Sequence, residues 1–297
     1  MAKTATAAIY VNPPQWVVES TEGTTPTASP SFTALGAVQS IAIKINGNFV
    51  DISQIAAEDL VTIIQGQQEY ETQYTLHVIN ATSVLNRLFN AYNYSTPTGT
   101  VNETVSILFS VPINGTTNYI LCKGSRIKDG SITMEVGKPT TVTVTFTHTT
   151  ISTPNSSHGL TTPTLVTAIS GTVWDWLAGG TTPVTWNASA IDCKKITINI
   201  NRNTKPDYTL GNLDPHSSQA HGRRISGDFA TLWNATTLET DFKAGTARTL
   251  AIVLKSATAT LTCTSTKLVD YARDTSTDSD EAIPEQMTFR CLSCAIA

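Results

Sequence analysis

The feature that most constrains the fold is an internal repeat with a period near 150 residues. Short segments of the first half recur in the same order in the second half, with spacings that drift as the loops differ in length. In order, the matches are 24–27 with 181–184, 41–46 with 196–201, 65–68 with 221–224, 75–85 with 231–238, 120–129 with 261–270, and 139–146 with 284–291. Trp16 precedes the first segment, and Trp174 and Trp176 precede its match. A repeat of this length indicates a duplicated domain, because solenoid units are several times shorter.

The composition favours strands over helices. Charged residues make up 14% of the chain, against about 25% in a typical soluble domain. Threonine fills much of the difference, and its β-branched side chain suits a pleated surface. A surface with so few charges also leaves area that neighbouring molecules can cover.

Each copy is predicted to contain several strands and one short helix. In the first copy the alternation of apolar and polar residues predicts strands at 41–46, 70–79, 103–111, 117–123 and 140–149, with an irregular stretch at 47–68. The Asn114-Gly115 pair predicts a tight hairpin turn, because both residues readily take positive φ values.

The helix of the first copy begins at a predicted cap, either Asn80 or Thr82, whose side chain can accept a hydrogen bond from the first turn. Its apolar face comprises Val84, Leu85, Leu88, Phe89 and Tyr92. The second copy has a shorter version, Thr237, Leu238, Asp241 and Phe242, closed by Gly245. The predicted fold is therefore mainly β: two tandem sandwich or barrel domains, each with a short flanking helix. The expected boundaries are an arm at 1–35, domains at 36–150 and 191–297, and a linker at 151–190.

Several classes of function are disfavoured by the sequence. The net charge is −4 and basic residues form no block, so a tight nucleic-acid surface is not expected. The chain has no run of about 20 apolar residues and no secretory signal, so we expect synthesis in the cytoplasm and no membrane contact. No motif of a nucleotide-binding loop, serine hydrolase or zinc protease occurs. We therefore expect no enzyme, and no catalytic, cofactor-binding or metal-binding residues.

Three clusters of residues are candidate metal sites, and each also has a simpler structural interpretation. Asp214, His216 and His221 could ligate a metal, but a polar loop at an interface is the favoured interpretation. The acidic stretch Asp274, Asp278, Asp280 and Glu281 lacks the spacing of an EF-hand, and a solvated loop is favoured. Cys291 and Cys294 have zinc-ligand spacing but no second pair, and five cysteines in a chain of this length favour free thiols.

Other residues are candidates for contacts or for the core. The pair Arg223-Arg224 could face DNA or the carboxylates of a neighbour, and a surface ion pair is the commoner outcome. Trp174, Trp176 and Trp186 could form a carbohydrate platform, although anchoring a subunit contact is favoured. Cys122 and Cys263 hold matching strand positions and are expected to be buried.

In the order of its elements the chain resembles the tail tube proteins of long-tailed viruses, and most closely the subclass with a duplicated tube domain. The resemblance rests on a strand, a long loop, a second strand, an Asn- or Thr-capped short helix, and a meander that ends in a Thr/Val strand. It implies a structural virion protein whose copies form rings that stack into a tube for the genome. A duplicated chain would need three copies for each ring, giving pseudo-sixfold symmetry.

The resemblance also implies partners and contact regions. Stacking would use the loops at 47–68 and 201–222, while the arm at 1–35 and the region 150–190 would bridge rings or subunits. Partners would be further copies of the chain and the tape-measure, terminator and tail-tip proteins, with DNA passing without specific binding. The mild acidity of the chain would make the channel repel phosphates.

Two alternatives remain open from the sequence. The first is the inner tube of a contractile or secretion-type injection machine, which a neighbouring sheath would distinguish. The second is a Thr-rich glycan-binding module that uses the tryptophan cluster. Export would be expected for such a module, and the missing signal sequence disfavours it.

Overall fold

Alternating apolar and polar residues fold as strands through most of the chain, and turn residues mark where the strands end. The computed structural model describes residues 12–26, 28–53, 60–79, 82–89, 104–169, 171–180, 183–220, 222–232, 237–255, 259–273 and 284–297. These residues form two short helices and many strands that are mostly antiparallel.

The strands of the first half are β1 (Gln15–Val18), β2 (Thr33–Ala34), β3 (Ala37–Asn46), β4 (Val50–Ser53), β5 (Leu60–Ile64), β6 (Glu69–His77), β7 (Val105–Ile113), β8 (Thr116–Glu135), β9 (Thr141–His148) and β10 (Thr150–Ile151). Those of the second half are β11 (Val184–Trp186), β12 (Ser189–Ala190), β13 (Cys193–Asn201), β14 (Thr204–Asp207), β15 (Ser217–Ala220), β16 (Arg224–Leu232), β17 (Arg248–Lys255), β18 (Ala259–Arg273), β19 (Pro284–Cys291) and β20 (Ser293–Ile296). Helix α1 (Thr82–Phe89) follows β6, and helix α2 (Thr237–Ala244) follows β16.

Eight strands form one continuous antiparallel sheet in the order β3-β6-β9-β8-β13-β16-β19-β18. The first part of β8 leaves this sheet and pairs with β7 and β10, and β1 and β2 extend that smaller sheet. The first part of β18 likewise pairs with β17 and β20, and β11 and β12 extend it. The same arrangement of strands therefore occurs in both halves.

The strand registers of the two halves match in detail. Cys122 lies opposite Ile107, and Cys263 lies opposite Leu250. Two residues after each cysteine, Gly124 and Ser265 have φ values of 58° and 50°. At these positions β8 and β18 pass from the smaller sheet into the large one. The predicted match between 120–129 and 261–270 is thus confirmed by the strand pairing.

The core lies between the large sheet and the two smaller ones. Tyr74 packs edge-on against Phe146 and Phe109, with ring centroids 5.8 and 6.4 Å apart. In the second half Phe229 packs against Phe289 at 6.1 Å. A separate cluster of Phe32, Leu108 and Leu121 lies on the first small sheet, with Leu160 and Leu165 packed on it. Described parts of the arm and of the linker region therefore pack against the first half of their own chain.

Both predicted helices form. In α1, Leu85, Leu88 and Phe89 are buried, which confirms these positions of the apolar face; Asn80 and Tyr92 lie outside the described residues, as does the side chain of Val84. Helix α2 ends at Ala244 and is followed by Gly245, whose φ is 62°. There the Gly245 N–H donates to the Phe242 carbonyl at 3.1 Å, so the predicted stop is confirmed.

The predicted strands form with shifted ends, and two predictions need larger corrections. The strand expected at 117–123 runs from Thr116 to Glu135, because β8 serves two sheets. The stretch expected to be irregular at 47–68 contains the hairpin of β4 and β5. Its strands are only four and five residues long, too short for a periodic pattern to identify. The Asn114-Gly115 turn is confirmed, with φ values of 50° and 77°.

Three of the predicted segment matches differ in register from the structure. Thr75 corresponds to Ala230 and not to Thr231, and Arg224 corresponds to Glu69 and not to Gln68, each a shift of one residue. Phe146 lies opposite Ile127 and Phe289 lies opposite Leu268, so Phe146 corresponds to Phe289 and not to Cys291. A shift of two residues leaves the alternation of side chains unchanged, so the sequence pattern could not detect it.

The tryptophan match needs the same kind of correction. Trp16 lies opposite Ile107 on β7, and Trp186 lies opposite Leu250, the residue of β17 that corresponds to Ile107. The counterpart of Trp16 is therefore Trp186, and neither Trp174 nor Trp176. The match of 24–27 with 181–184 fails as well, because the first segment follows β1 whereas the second precedes and enters β11.

Candidate assembly interface

The two halves are joined by a strand pair, β8 with β13, which continues the large sheet across the chain. Ile198 lies opposite Ile132, and Asn199 lies opposite Ser131. Beneath this seam, Arg202 donates from Nη2 to the Leu88 carbonyl at the end of α1, at 2.9 Å. The Thr204 hydroxyl donates to the Ile127 carbonyl at 2.8 Å. Backbone pairing and buried hydrogen bonds thus fix one half to the other.

The large sheet ends in two edges that correspond to the two sides of this seam. Strand β3 is the counterpart of β13, because Ile43 and Ile198 occupy the same place relative to Phe146 and Phe289 through their neighbouring strands. The last part of β18 is the counterpart of the last part of β8. Among the described residues, β3 pairs only with β6, and residues 267–272 of β18 pair only with β19. The two edges of the sheet are therefore the counterparts of two strands, β13 and β8, that pair with each other inside the chain.

The edge strand β3 carries apolar side chains that its counterpart buries. Ile198 and Ile200 are each 1% exposed, whereas Ile43 is 44% and Ile45 is 59% exposed. Burying an isoleucine side chain contributes about 1.5 to 3 kcal/mol. A ten-residue apolar edge strand is also a template for pairing with another chain. These properties make β3 a candidate interaction surface.

The end of β18 is shaped by an ion cluster. Glu285 is buried, and Arg273 donates to it at 3.1 Å and to Glu239 of α2 at 2.8 Å. The Tyr271 hydroxyl also hydrogen-bonds to Glu285. Burial, followed by that hydrogen bond, raises the pKa of Tyr271, and the hydrogen bonds from Lys243 and Arg273 lower the pKa of Glu239. This cluster fixes α2 beside the β18 edge.

Helix α2 is anchored on its other side by Asp241. The indole N–H of Trp186 donates to Asp241 Oδ2 at 2.8 Å, and Arg248 donates to both carboxylate oxygens at 2.9 and 3.0 Å. The hydrogen bond from Arg248 is the main cause of the lowered pKa of Asp241. Tryptophan and arginine together hold the helix against the small sheet of the second half.

Two hairpins project near one end of the large sheet, and both carry exposed apolar residues. The first hairpin consists of β4 and β5, and the exposed apolar residues in and beside it are Phe49, Ile63 and Ile64. The second consists of β14 and β15, and the loop between them carries Leu210 and Leu213. The loop of the second hairpin is tied to the start of β6 and to the residue before it. The Gln68 N–H donates to the Leu213 carbonyl at 2.8 Å, and the Tyr70 hydroxyl donates to Asp214 Oδ1 at 2.6 Å. Burial, with the Asp214 contact second, raises the pKa of Tyr70 to about 12.

The face of the large sheet that points away from the core is polar and mixed in charge. Strand alternation places six carboxylates and seven cations of the described residues on it: Glu69, Glu71, Asp129, Glu135, Asp228 and Asp270 against Lys44, Arg126, Lys128, Lys195, Arg224, Lys267 and Arg290. Some of these pair locally, such as Lys128 with Glu71. The net acidity of the chain is therefore not concentrated on the described part of this face.

The predicted candidates for metal ligation are only partly covered by the described residues. Asp214 accepts the Tyr70 hydrogen bond, and the His216 backbone N–H donates to the Asp207 carbonyl at 2.8 Å. His221 and the acidic residues Asp274, Asp278, Asp280 and Glu281 lie outside the described residues. Within the described ranges no group of three His, Cys, Asp or Glu side chains is placed to share a metal ion.

The cysteines are free, and Cys122, Cys263 and Cys294 are buried. The predicted burial of Cys122 and Cys263 is confirmed, and burial raises the pKa of Cys122 well above its usual range. Cys263 and Cys294 lie opposite each other on β18 and β20, with sulfur atoms 2.7 Å apart. Cys263 interacts with Cys291 as well, so both cysteines of the 291–294 pair approach the same thiol.

Two of the three tryptophans lie in the core, so a surface cluster of three rings does not form. Trp174 and Trp186 are 1% and 2% exposed. Trp176 is partly exposed, at 37%. Trp174 and Trp186 therefore cannot contact a sugar or another subunit in this fold, whereas Trp176 is accessible. The sequence pointed to Trp residues because they are common at interfaces, whereas here Trp174 and Trp186 fill the interior.

The sequence did not identify the exposed isoleucines of β3, Ile43 and Ile45, as candidate interface residues. The segments 41–46 and 196–201 have the same alternation, so the sequence could not show that one is an edge and the other is central. The available signal was the repeat itself, since a tandem pair of equivalent sheets must leave one strand of each kind unpaired at its ends.

Comparison with known proteins identifies the family of the chain. No helix in the described part of the chain is both long and apolar enough to cross a membrane. No curated protein matches the sequence. The family model described as "Phage tail tube protein" matches residues 15–291. A match over nearly the whole chain, on a mainly β fold with antiparallel sheets, shows that this chain belongs to the phage tail tube protein family.

Proposed function

We propose that three copies of this chain close into a ring in which β3 of one copy pairs with β18 of the next. The supporting observation is the internal seam: β8 and β13 already make this kind of pair within one chain. Three copies would then present six equivalent four-stranded units, which gives the ring pseudo-sixfold symmetry.

The internal seam also suggests the register between copies. Asn199 lies opposite Ser131, and the counterparts of these residues are Lys44 and Ala272. Ile200 and Gly130 correspond in the same way to Ile45 and Tyr271. In the ring, Lys44 would therefore face Ala272 of the neighbouring copy. Helix α2 of one copy would lie near Ile43 and Ile45 of the next, as α1 lies beneath the seam.

The ring proposal rests on a duplicated domain, with domains at 36–150 and 191–297, an arm at 1–35 and a linker at 151–190. Matching strand registers and matching bends at Gly124 and Ser265 support the duplication. Strands β1 and β2 would complete the small sheet of the first domain, and β11 and β12 that of the second.

Rings would stack through the two hairpins to form the tail tube. The exposed side chains of Phe49, Leu210 and Leu213 support this role, because apolar groups clustered near one end of a subunit favour burial against another ring. The polar face of the large sheet would line the channel through which the genome passes. The arms would bridge neighbouring subunits or rings, and the tape-measure, terminator and tail-tip proteins would bind at the ends of the tube.

The role is structural and not enzymatic, and the protein would be made in the host cytoplasm before it joins the virion. Negative-stain electron microscopy of the purified chain at rising concentration tests this proposal. Hollow tubes or rings with threefold symmetry are expected. A monodisperse monomer at every concentration would overturn it.

A further inference from the structure

Four basic side chains line one open concavity at an end of the polar face in the second half. Its volume is about 1420 Å³, and its lining includes Arg223, Arg224, Lys267 and Arg290 but a single carboxylate, Asp129. Arg223 is engaged with the Phe89 carbonyl. The other three form what we call the basic cluster: Arg224, Lys267 and Arg290.

The members of the basic cluster stand on adjacent strands. Lys267 lies directly opposite Arg290, and Arg224 is two residues from Ser226, which also faces Arg290. Like charges directly opposite each other in a sheet are destabilising. Among the described residues no carboxylate lies within ion-pair distance of any of the three. The cluster thus retains a positive charge that the described part of the chain does not neutralise.

The repeated fold does not by itself require this cluster. The first-half counterparts of Arg224 and Arg290 are Glu69 and Thr147, as the strand registers show. The counterpart of Lys267 is Arg126, which is paired with Glu22 at 2.9 Å. The basic cluster therefore has no counterpart among the described residues of the first half.

We propose that the basic cluster binds phosphate groups of double-stranded DNA, an inference that rests on the proposed passage of the genome along this face. Adjacent strands lie about 4.8 Å apart, so three strands span about 10 Å. Phosphates of one DNA strand recur about every 3.4 Å along its axis, so two or three of them fit this span. Contacts to phosphate do not depend on base sequence.

A carboxylate surface of a stacked copy is a poorer match. At the opposite end of the polar face, Glu135 is already paired with Lys138 at 2.5 Å and lies 3.8 Å from Lys195. A phosphodiester polyanion therefore fits the cluster better. In a ring of three copies, three clusters would lie at one mouth of the channel and contact the DNA there.

The test is binding of a short fluorescent DNA duplex to the purified chain, followed by anisotropy over a range of salt concentrations. The variant Arg224→Gln/Lys267→Gln/Arg290→Gln is compared with Lys44→Gln/Lys128→Gln/Lys195→Gln, which removes the same charge from the same face. Circular dichroism melting checks that both variants fold, and poly-L-glutamate serves as a second polyanion.

The first variant is expected to weaken DNA binding at least tenfold and to reduce the salt slope by about two to three, since each phosphate contact contributes about 0.9. The matched control should stay within about twofold of wild type. Equal losses in both variants would overturn the proposal, as would equally tight, cluster-dependent binding of poly-L-glutamate. Because the assay uses unassembled chain, DNA binding without ring formation would refute the ring and leave the cluster's assignment standing.

Discussion

His148 Nε2 lies 2.7 Å from Thr72 Oγ1 in the covered interior of the large sheet, and its Nδ1 lies 2.7 Å from Ser125 Oγ. The imidazole is fully buried, and burial lowers the pKa of His148 to about 3. The ring is therefore neutral in the fold, whereas in the unfolded chain it gains a proton below pH about 6.5. Stability from this group is complete above that pH and is lost as the pH falls towards 3.

The variant His148→Cys removes this dependence of stability on pH. Cysteine is a suitable replacement because Cys291 holds the equivalent position in the second half. Urea unfolding at several pH values, at a concentration where the chain is monomeric, measures the effect. The difference in unfolding free energy between wild type and variant should shrink by about 2 to 3 kcal/mol from pH 6.5 to 4.5. Parallel pH profiles would show that His148 does not titrate in this way.

Asp241 is expected to contribute strongly to the second half. Asp241→Asn removes the charge that pairs with Arg248 and accepts from Trp186, so the unfolding free energy should fall by about 2 kcal/mol. Lys243→Gln on the same helix alters only an exposed pair and should change it by less than about 0.5 kcal/mol. Equal effects in urea titrations would contradict the anchoring role of Asp241.

Ile43→Asp should block ring formation without unfolding the chain. Ile43 is exposed in the single chain, so its replacement there costs little. In the ring the same change would place a charge where its counterpart Ile198 is buried. Sedimentation velocity should show monomer only, with a melting temperature near that of wild type. Leu292→Asp, at an exposed site away from the β3 edge, is the control and should assemble normally.

Phe49→Ser combined with Leu210→Ser should separate ring formation from stacking. Both side chains are exposed beside the hairpins and neither belongs to the proposed β3 and β18 contact. Electron micrographs should show single rings and few tubes. Normal tubes would mean that stacking uses other surfaces.

The sequence predicted the mainly β fold and both helices, because these follow from periodicity and capping. It failed where different structures share one pattern. A two-residue shift between Phe146 and Cys291 preserved the alternation, and buried Trp174 looked like an interface residue. The assembly surface was hidden for the same reason: Ile43 and Ile198 lie in segments of equal pattern, and only strand order distinguishes an edge from a centre.

In the proposed ring, β3 of one copy pairs with β18 of the next in the register of the internal seam. The double variant Lys44→Cys/Ala272→Cys tests it by mild oxidation and non-reducing electrophoresis, with each single variant controlling for the native thiols. Ala42→Cys/Ala272→Cys is the control, since it lies two residues, about 7 Å, out of register. The first pair should give covalent species that end at three copies of the 31.8 kDa chain. Monomer alone, equal crosslinking of the control, or a ladder that continues beyond three copies would contradict the claim.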